Sequence, residues 1–267
     1  MIRRIEMIGP SAVGKTTLYD KIERTLKSNE ELLTLKGAYK KAALQAEIFA
    51  NEWLLFCYQN ALRSGLFKNK ERGLGRVILT KKYNMKSLKK NGFGKFLVSF
   101  DIQHQDSREY RDPIFVQKML SRFLSRVEDH LLLELSLRTD KILLVDEGMI
   151  HYHTGITDYA LETYTGEELK RDPVFSPAGI IHCVQEEEVI YEQAQKRKEE
   201  GVKTFSHGGL NSKELRQLIK KNILYDKEKA ERLKNIGIPV LDINTGEDFE
   251  VNLNKIVSFA SDLKNSV

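Results

Sequence analysis

The spacing of apolar positions changes along the chain, and each change marks an element. Ile2 to Ile8 reads as a short buried strand. From Thr16 to Lys27, Leu18, Ile22 and Leu26 stand four apart, which predicts a helix with one buried face. From Tyr39 to about Ser64 a helical pattern runs up to Gly65. It is apolar on much of its circumference around Trp53 to Phe56, so one long core helix is expected there. "FLVSFD" (Phe96 to Asp101) reads as a strand ending in a carboxylate. Asp112 is then a favourable N-cap and Pro113 a favourable first helical residue. Phe115, Met119, Phe123, Val127, Leu131 and Leu135 recur every four residues. They predict a long amphipathic helix that leads directly into "KILLVDEG", an apolar run closed by acids.

The last third alternates again. "GIIHCV" (Gly179 to Val184) reads as a strand, and "EEEVIYEQAQKRKEEG" as a helix ending at Gly201. "SKELRQLIKKNILYDKEKAERLKNIG" reads as a helix, with a break left open, closed by Gly237. "IPVLDIN" is a strand and "DFEVNLNKIVSFASDLK" a last helix. Strands that alternate with helices argue for an α/β fold, a three-layer α/β/α arrangement around a mostly parallel sheet of about five strands. No internal repeat or low-complexity tract interrupts it. The expectation is a single domain over 1–267, with a mostly helical, basic insertion at about 39–111.

Composition narrows this only in places. The chain has 267 residues, 41% hydrophobic and 30% charged, enough for one α/β core with an insertion. The net charge of +5 is compatible with an anionic ligand without requiring one. The excess is local: between Arg63 and Lys95 stand eleven Lys or Arg and one acid, Glu71. That segment is either a solvated basic face or an anion-binding, lid-like insertion. Cys57 and Cys183 sit in apolar surroundings and are expected as buried thiols. The opening residues are too short and charged for a signal peptide, and no run approaches a membrane span, so the expected location is cytoplasmic.

The candidate chemistry begins with "GPSAVGKT", Gly9 to Thr16, which matches G-x-x-x-x-G-K-[ST] without departure. Glycines let backbone N–H groups turn inward around phosphate oxygens, and the helix that follows points its positive end at them. Gly9, Pro10, Ser11, Ala12, Val13, Gly14, Lys15, Thr16 and Thr17 therefore form a candidate phosphate cradle. Lys15 would face the β- and γ-phosphates, and the Thr16 hydroxyl would ligate Mg²⁺. Such a site needs a carboxylate at a neighbouring strand end. "ILLVDE" supplies Asp146, for the Mg²⁺, and Glu147, which points elsewhere, toward water or an acceptor. ATP and Mg²⁺ are the expected ligands.

With these residues the chain resembles the P-loop NTPase superfamily, and within it the nucleoside and nucleotide kinases, thymidylate-kinase-like proteins above all. The resemblance implies a kinase fold, a lid at about 193–212, and a lid cation, Arg197, flanked by Lys196 and Lys198. The competing reading of these charges is a helix C-terminus complemented by its own basic residues. The resemblance also implies an adenine-contacting loop after the last strand, at Asn244, Thr245 and Gly246. A plain turn and cap competes, since Thr245 and Asp248 have capping-box-like spacing. The pattern departs from those kinases after Asp146-Glu147-Gly148, where many carry Asp-Arg and this chain has no arginine.

In a kinase, Lys15 and Mg²⁺ would hold ATP and Arg197 would balance charge on the transferred group. Glu147, or second Asp101, would take the acceptor's proton. Arg108 and Arg111 could hold an anionic acceptor. His151 and His153 read as acceptor-pocket or surface residues, since two histidines without a third ligand make a poor metal site. The partner expected is a small polar or anionic acceptor. A kinase for nucleic-acid ends is a less favoured reading of the basic segment. A nucleotide switch or ATPase is the third; "NKER" at Asn69 lacks the aspartate of a guanine-specific N-K-x-D motif, whereas Glu147 could serve an ATPase.

Overall fold

A computed structural model describes residues 2–26, 31–48, 52–64, 70–82, 113–152, 177–201 and 209–266. The strands are β1 (Arg4–Ile8), β2 (Leu32–Thr34), β3 (Ile142–Val145), β4 (Gly179–Val184) and β5 (Val240–Asn244). They form one open sheet in the order β2-β3-β1-β4-β5. The pairs β2–β3, β1–β4 and β4–β5 run parallel, with Ile8 opposite His182 and Val184 opposite Asn244. The helices are α1 (Lys15–Thr25), α2 (Leu35–Gln45), α3 (Trp53–Arg63), α4 (Glu71–Lys82), α5 (Pro113–Ser136), the short α6 (Met149–Tyr152), α7 (Glu187–Glu199), α8 (Ser212–Asn235) and α9 (Phe249–Asn265). The chain is of the α/β class. No helix among the described residues is long and apolar enough to cross a membrane.

The chain divides into two compact units. One holds residues 1–3, 32–144 and 152–176 and contains α2 to α5. Its interior is built from Tyr39, Leu62, Ile78, Leu79, Leu132 and Leu133. Gly75 lets α4 approach α2 closely, because a Cβ there would lie 2.7 Å from the Tyr39 carbonyl oxygen. Asp129 on α5 is 2% exposed. Tyr39 Oη donates to it at 2.5 Å, Arg72 Nη2 lies at 3.0 Å, and Arg76 and Arg126 each approach at 3.5 Å. Arg76 also pairs with Glu128 at 2.9 Å.

Four expectations change in this unit. The pattern from Tyr39 to Ser64 is two helices, not one. α2 ends at Gln45, where Ala46 takes an extended conformation, and Gln59 on α3 donates to the carbonyls of Ala43 at 2.9 Å and Ala46 at 3.0 Å. A buried amide thus satisfies carbonyls that a continuing helix would have used. Trp53 is 70% exposed and stacks on exposed Phe56 with ring centroids 5.8 Å apart, so the aromatic pair is surface rather than core, while Leu55 between them is buried. On α5, Val127 is buried, Leu131 half-buried and Leu135 exposed. Each four-residue step overshoots a full turn by about 40°, so a strict row of four walks off the buried face. Leu132, Leu133 and Ser136 take over. Cys57 is half-buried, whereas Cys183 is buried as expected. "FLVSFD" with Asp101, and also Arg108, Arg111, Asp112 and His153, lie outside the described residues.

The second unit holds residues 4–31, 145–151 and 177–267. β1 is buried at every position, as parallel strands covered on both faces are. Its two charges make one internal pair: Arg4 Nε donates to Glu6 Oε1 at 2.6 Å. The chain leaves β1 toward β2 and leaves β4 toward β5, in opposite directions across the sheet. In open α/β sheets such a switch point opens a crevice beyond the strands' carboxyl ends. The loop after β1 starts there. α8 is unbroken over its whole length.

Candidate functional site

The loop after β1 has backbone angles that few residues tolerate. Gly9 has φ of 138° and Gly14 of 98°, and Ala12 is the one non-glycine at positive φ among the described residues, at 68°. At Gly9 a Cβ would lie 2.5 Å from the Cys183 carbonyl oxygen, so the loop is pressed against the end of β4. Gly14 lies against Thr245, whose side chain would be 3.3 Å from a Cβ. The Thr245 hydroxyl donates to the Val13 carbonyl.

α1 starts at Lys15 without a side-chain cap or an acid in its first turn. Thr34 caps α2, Asn211 makes a capping box on α8 and Asp248 caps α9, whereas α3 and α7, like α1, start without a side-chain cap. The first N–H groups of α1 therefore keep their bonding capacity for something other than a side chain. Thr16 and Thr17 are exposed at that end. Lys15 folds back over the loop, with Nζ donating to the carbonyls of Gly9 at 2.6 Å and Pro10 at 2.9 Å. It is 6% exposed. Burial holds its amine below the ordinary lysine value, against the pull of Cys183, Asp226, Glu147 and Asp146. Burial pushes the Cys183 thiol up to about 12, so it carries no charge at neutral pH. The anions that face Lys15 are then the three carboxylates.

Asp146 and Glu147 follow β3 and are half-buried. The corner they occupy is fixed from β1. Glu6 Oε2 accepts from Ile150 N at 2.8 Å, and a Cβ on Gly148 would lie 2.2 Å from that oxygen. Only glycine fits between. Glu147 Oε1 lies 3.9 Å from His151 Nε2.

After β5, Asn244 Oδ1 accepts from Gly246 N at 2.9 Å, and a Cβ on Gly246 would meet Gln185 Nε2 at 2.3 Å. Asn244 and Gly246 thus shape a turn against the loop after β4, while Thr245 reaches the glycine loop. The cap of α9 is Asp248, which accepts from Glu250 N and Val251 N, so Thr245 is no part of that cap. Arg197 is half-buried in the last turn of α7. Its neighbour Lys198 donates to the Leu210 carbonyl at 2.6 Å. Residues 202–208 of the expected lid lie outside the described residues.

The second unit therefore brings together Gly9 to Thr17, Asp146, Glu147 and Thr245. Sequence reasoning missed Glu6, Asp226, Lys229 and His182. Asp226 and Lys229 are buried on α8 along with Leu215, Ile219, Ala230 and Leu233. Charges at apolar-face positions were the signal that could have found them. Lys229 Nζ donates to the Ile150 carbonyl at 3.3 Å and lies over the Tyr225 ring. His182 Nδ1 is 2.8 Å from Asp242 Oδ1.

Oxygen donors such as the Thr16 hydroxyl and the Asp146 carboxylate suit a hard cation such as Mg²⁺. Among the described residues there is no group of three His, Cys, Asp or Glu able to hold a metal alone. Mg²⁺ in phosphate sites takes one or two protein ligands and draws others from phosphates and water, so the two oxygens fit that pattern. No family model matches the chain, and no curated protein matches it.

Proposed function

We infer that this chain is an ATP-dependent phosphotransferase of the P-loop kinase type, moving the γ-phosphoryl group of ATP–Mg²⁺ to a small polar acceptor such as a nucleoside, nucleotide or sugar-like metabolite. One observation carries the reading. The glycine loop between β1 and α1 has the two positive-φ glycines, the buried Lys15 and the uncapped helix start that together make an anion cradle. The carboxylates of Asp146 and Glu147 support it, since their charges act on the same lysine.

In this reading the α1 N–H groups and Lys15 bind the phosphates, with the Lys15 ammonium turning from loop carbonyls to phosphate oxygens. Thr16 and Asp146 would hold Mg²⁺, which neutralises phosphate charge when bound. Thr245 keeps the loop in shape through Val13, next to the turn proposed to contact adenine at Asn244, Thr245 and Gly246. Arg197 is proposed as the lid cation.

The test uses ATP–Mg²⁺ with a pooled metabolite library, following ADP and any phosphorylated mass. ADP formed only with a particular acceptor, and lost in Lys15→Ala, supports the reading. ADP formed equally with no acceptor, yet lost in Lys15→Ala, replaces it with an ATPase. Dependence on DNA or RNA ends would move the acceptor to nucleic acid.

A further inference from the structure

Ile150 lies just beyond the Asp146-Glu147-Gly148 corner, and buried charges from two other elements hold both of its backbone groups. Its N–H donates to Glu6 Oε2 on β1 at 2.8 Å. Its carbonyl accepts from Lys229 Nζ on α8 at 3.3 Å. The other Glu6 oxygen, Oε1, accepts from Arg4 Nε at 2.6 Å. Arg4, Glu6, Ile150 and Lys229 are all buried. Between the two acids and this anchor stands Gly148, where a Cβ would lie 2.1 Å from the Glu6 carboxyl carbon. The backbone that leaves Asp146 and Glu147 therefore runs flush against the Glu6 carboxylate. Stability is a weak reason for this arrangement. A buried ion pair is often no better for a fold than apolar side chains of similar volume, and a neutral acceptor would satisfy one N–H. What the carboxylate supplies is a fork, with one oxygen fixed by Arg4 and the other fixing the corner. β1 runs from this pair directly into Gly9, so the strand that carries the glycine loop also sets the path of the acids.

We propose that Glu6, oriented by Arg4, is a positioning residue for the metal side of the phosphate site: it fixes the corner that presents Asp146 to Mg²⁺, and so sets how strongly Mg²⁺ joins the nucleotide complex. The proposal rests on the phosphotransferase reading and names what governs its metal. In this role Glu6 meets no ligand. It acts through the backbone of residues 148–150, as the outer partners of metal ligands act by holding those ligands in orientation. A corner fixed before the metal arrives spares the ordering that a loose one would undergo on binding. Lys229 steadies the same residue from the opposite side, through the Ile150 carbonyl.

The test compares wild type with two double variants, Arg4→Met/Glu6→Leu and Arg4→Met/Glu6→Gln. Both lose the buried ion pair, and only the second keeps a side-chain oxygen able to accept from Ile150 N. ADP affinity is measured by calorimetry across a Mg²⁺ series and in EDTA, with melting temperature alongside. In wild type, Mg²⁺ tightens ADP binding. In Arg4→Met/Glu6→Leu the Mg²⁺ concentration that gives half of this effect rises about 10- to 100-fold. Its ADP affinity in EDTA, which reports the cradle alone, stays within a few-fold of wild type. In Arg4→Met/Glu6→Gln the Mg²⁺ midpoint stays near the wild-type value. Gly148→Ala reaches the same contact without changing Glu6, and its Mg²⁺ midpoint rises with the affinity in EDTA kept. A midpoint within a few-fold of wild type in Arg4→Met/Glu6→Leu overturns the proposal, whatever the melting temperature. An equal rise in both double variants also overturns it, since the lost charge and not the lost acceptor would be the cause. Affinity lost alike in EDTA and in Mg²⁺ assigns Glu6 a structural role instead. Should the double variants melt too low to assay, an unchanged midpoint in Gly148→Ala overturns the proposal by itself. Wild-type ADP binding that ignores Mg²⁺ overturns the metal assignment and the proposal with it. Wild type that binds no ADP under any condition overturns the nucleotide reading itself, a result separate from all of these.

Discussion

Each unit buries a charge, and the two are surrounded differently. Asp129 touches its partners: one phenol and three guanidinium groups reach it at 2.5 to 3.5 Å. Lys15 spends two donors on loop carbonyls, and its anions, Asp226, Glu147 and Asp146, act through space. An ammonium has three donors, so one is left. The helix that begins at Lys15 also starts without a side-chain cap or an acid in its first turn. A charge satisfied in contact holds a fold together. A charge with unspent capacity, beside N–H groups that no side chain caps, is what the proposed phosphate site would use.

Substitution at the two charges should therefore act with opposite signs. Asp129→Ala strands a buried phenol and three guanidinium groups and should cost about 3 kcal/mol of stability. The midpoint of urea unfolding at constant slope measures it. A loss under about 1 kcal/mol would mean that the arginines simply rehydrate, and the contrast between the clusters would fail. Lys15→Ala should leave stability unchanged or raised, since burial disfavours that amine. Its ADP–Mg²⁺ affinity should fall about 100-fold, roughly 2.7 kcal/mol, by calorimetry. Affinity within a few-fold of wild type would remove Lys15 from the phosphate site.

A smaller effect sharpens the first cluster. Burial, and after it Asp129, raises the Tyr39 hydroxyl above its ordinary 10.0. The unfolded chain loses that proton near pH 10 while the folded chain keeps it. Below pH 10 the two states bind this proton alike, and above it the folded state binds more, so stability falls as pH rises further. Tyr39→Phe should cost about 1–2 kcal/mol at neutral pH and flatten part of that alkaline decline. An unchanged alkaline slope would mean that Tyr39 ionises freely.

Legibility followed the range of the interactions. The glycine loop, its flanking strand and helix, and the acids after β3 are local patterns, and the sequence marks them within a residue or two. β2 is three residues long and carries no period of its own. The break between α2 and α3 has neither glycine nor proline; it depends on Gln59 reaching back to carbonyls 13 and 16 residues earlier. Glu6 reaches Ile150 across 144 residues. Asp226 and Lys229 were legible in principle, as charges on the apolar face of α8.

The smallest effect belongs to the residue whose place the sequence misjudged. Apolar content around Trp53 predicts a core helix, yet Trp53 is 70% exposed, Leu54 49% and Phe56 43%, while Leu55 and Leu62 of the same helix are buried. The interior of that unit is then closed by Leu62, Ile78 and the contacts of Asp129, not by the tryptophan. A side chain this exposed contributes little burial, and the Trp53–Phe56 stacking adds about 0.5 kcal/mol at most on the surface. Trp53→Ser should accordingly move the urea midpoint by no more than about 0.5 kcal/mol, against about 3 kcal/mol for Asp129→Ala. A Trp53→Ser loss of about 2 kcal/mol or more would place the aromatic pair inside the fold rather than on its surface.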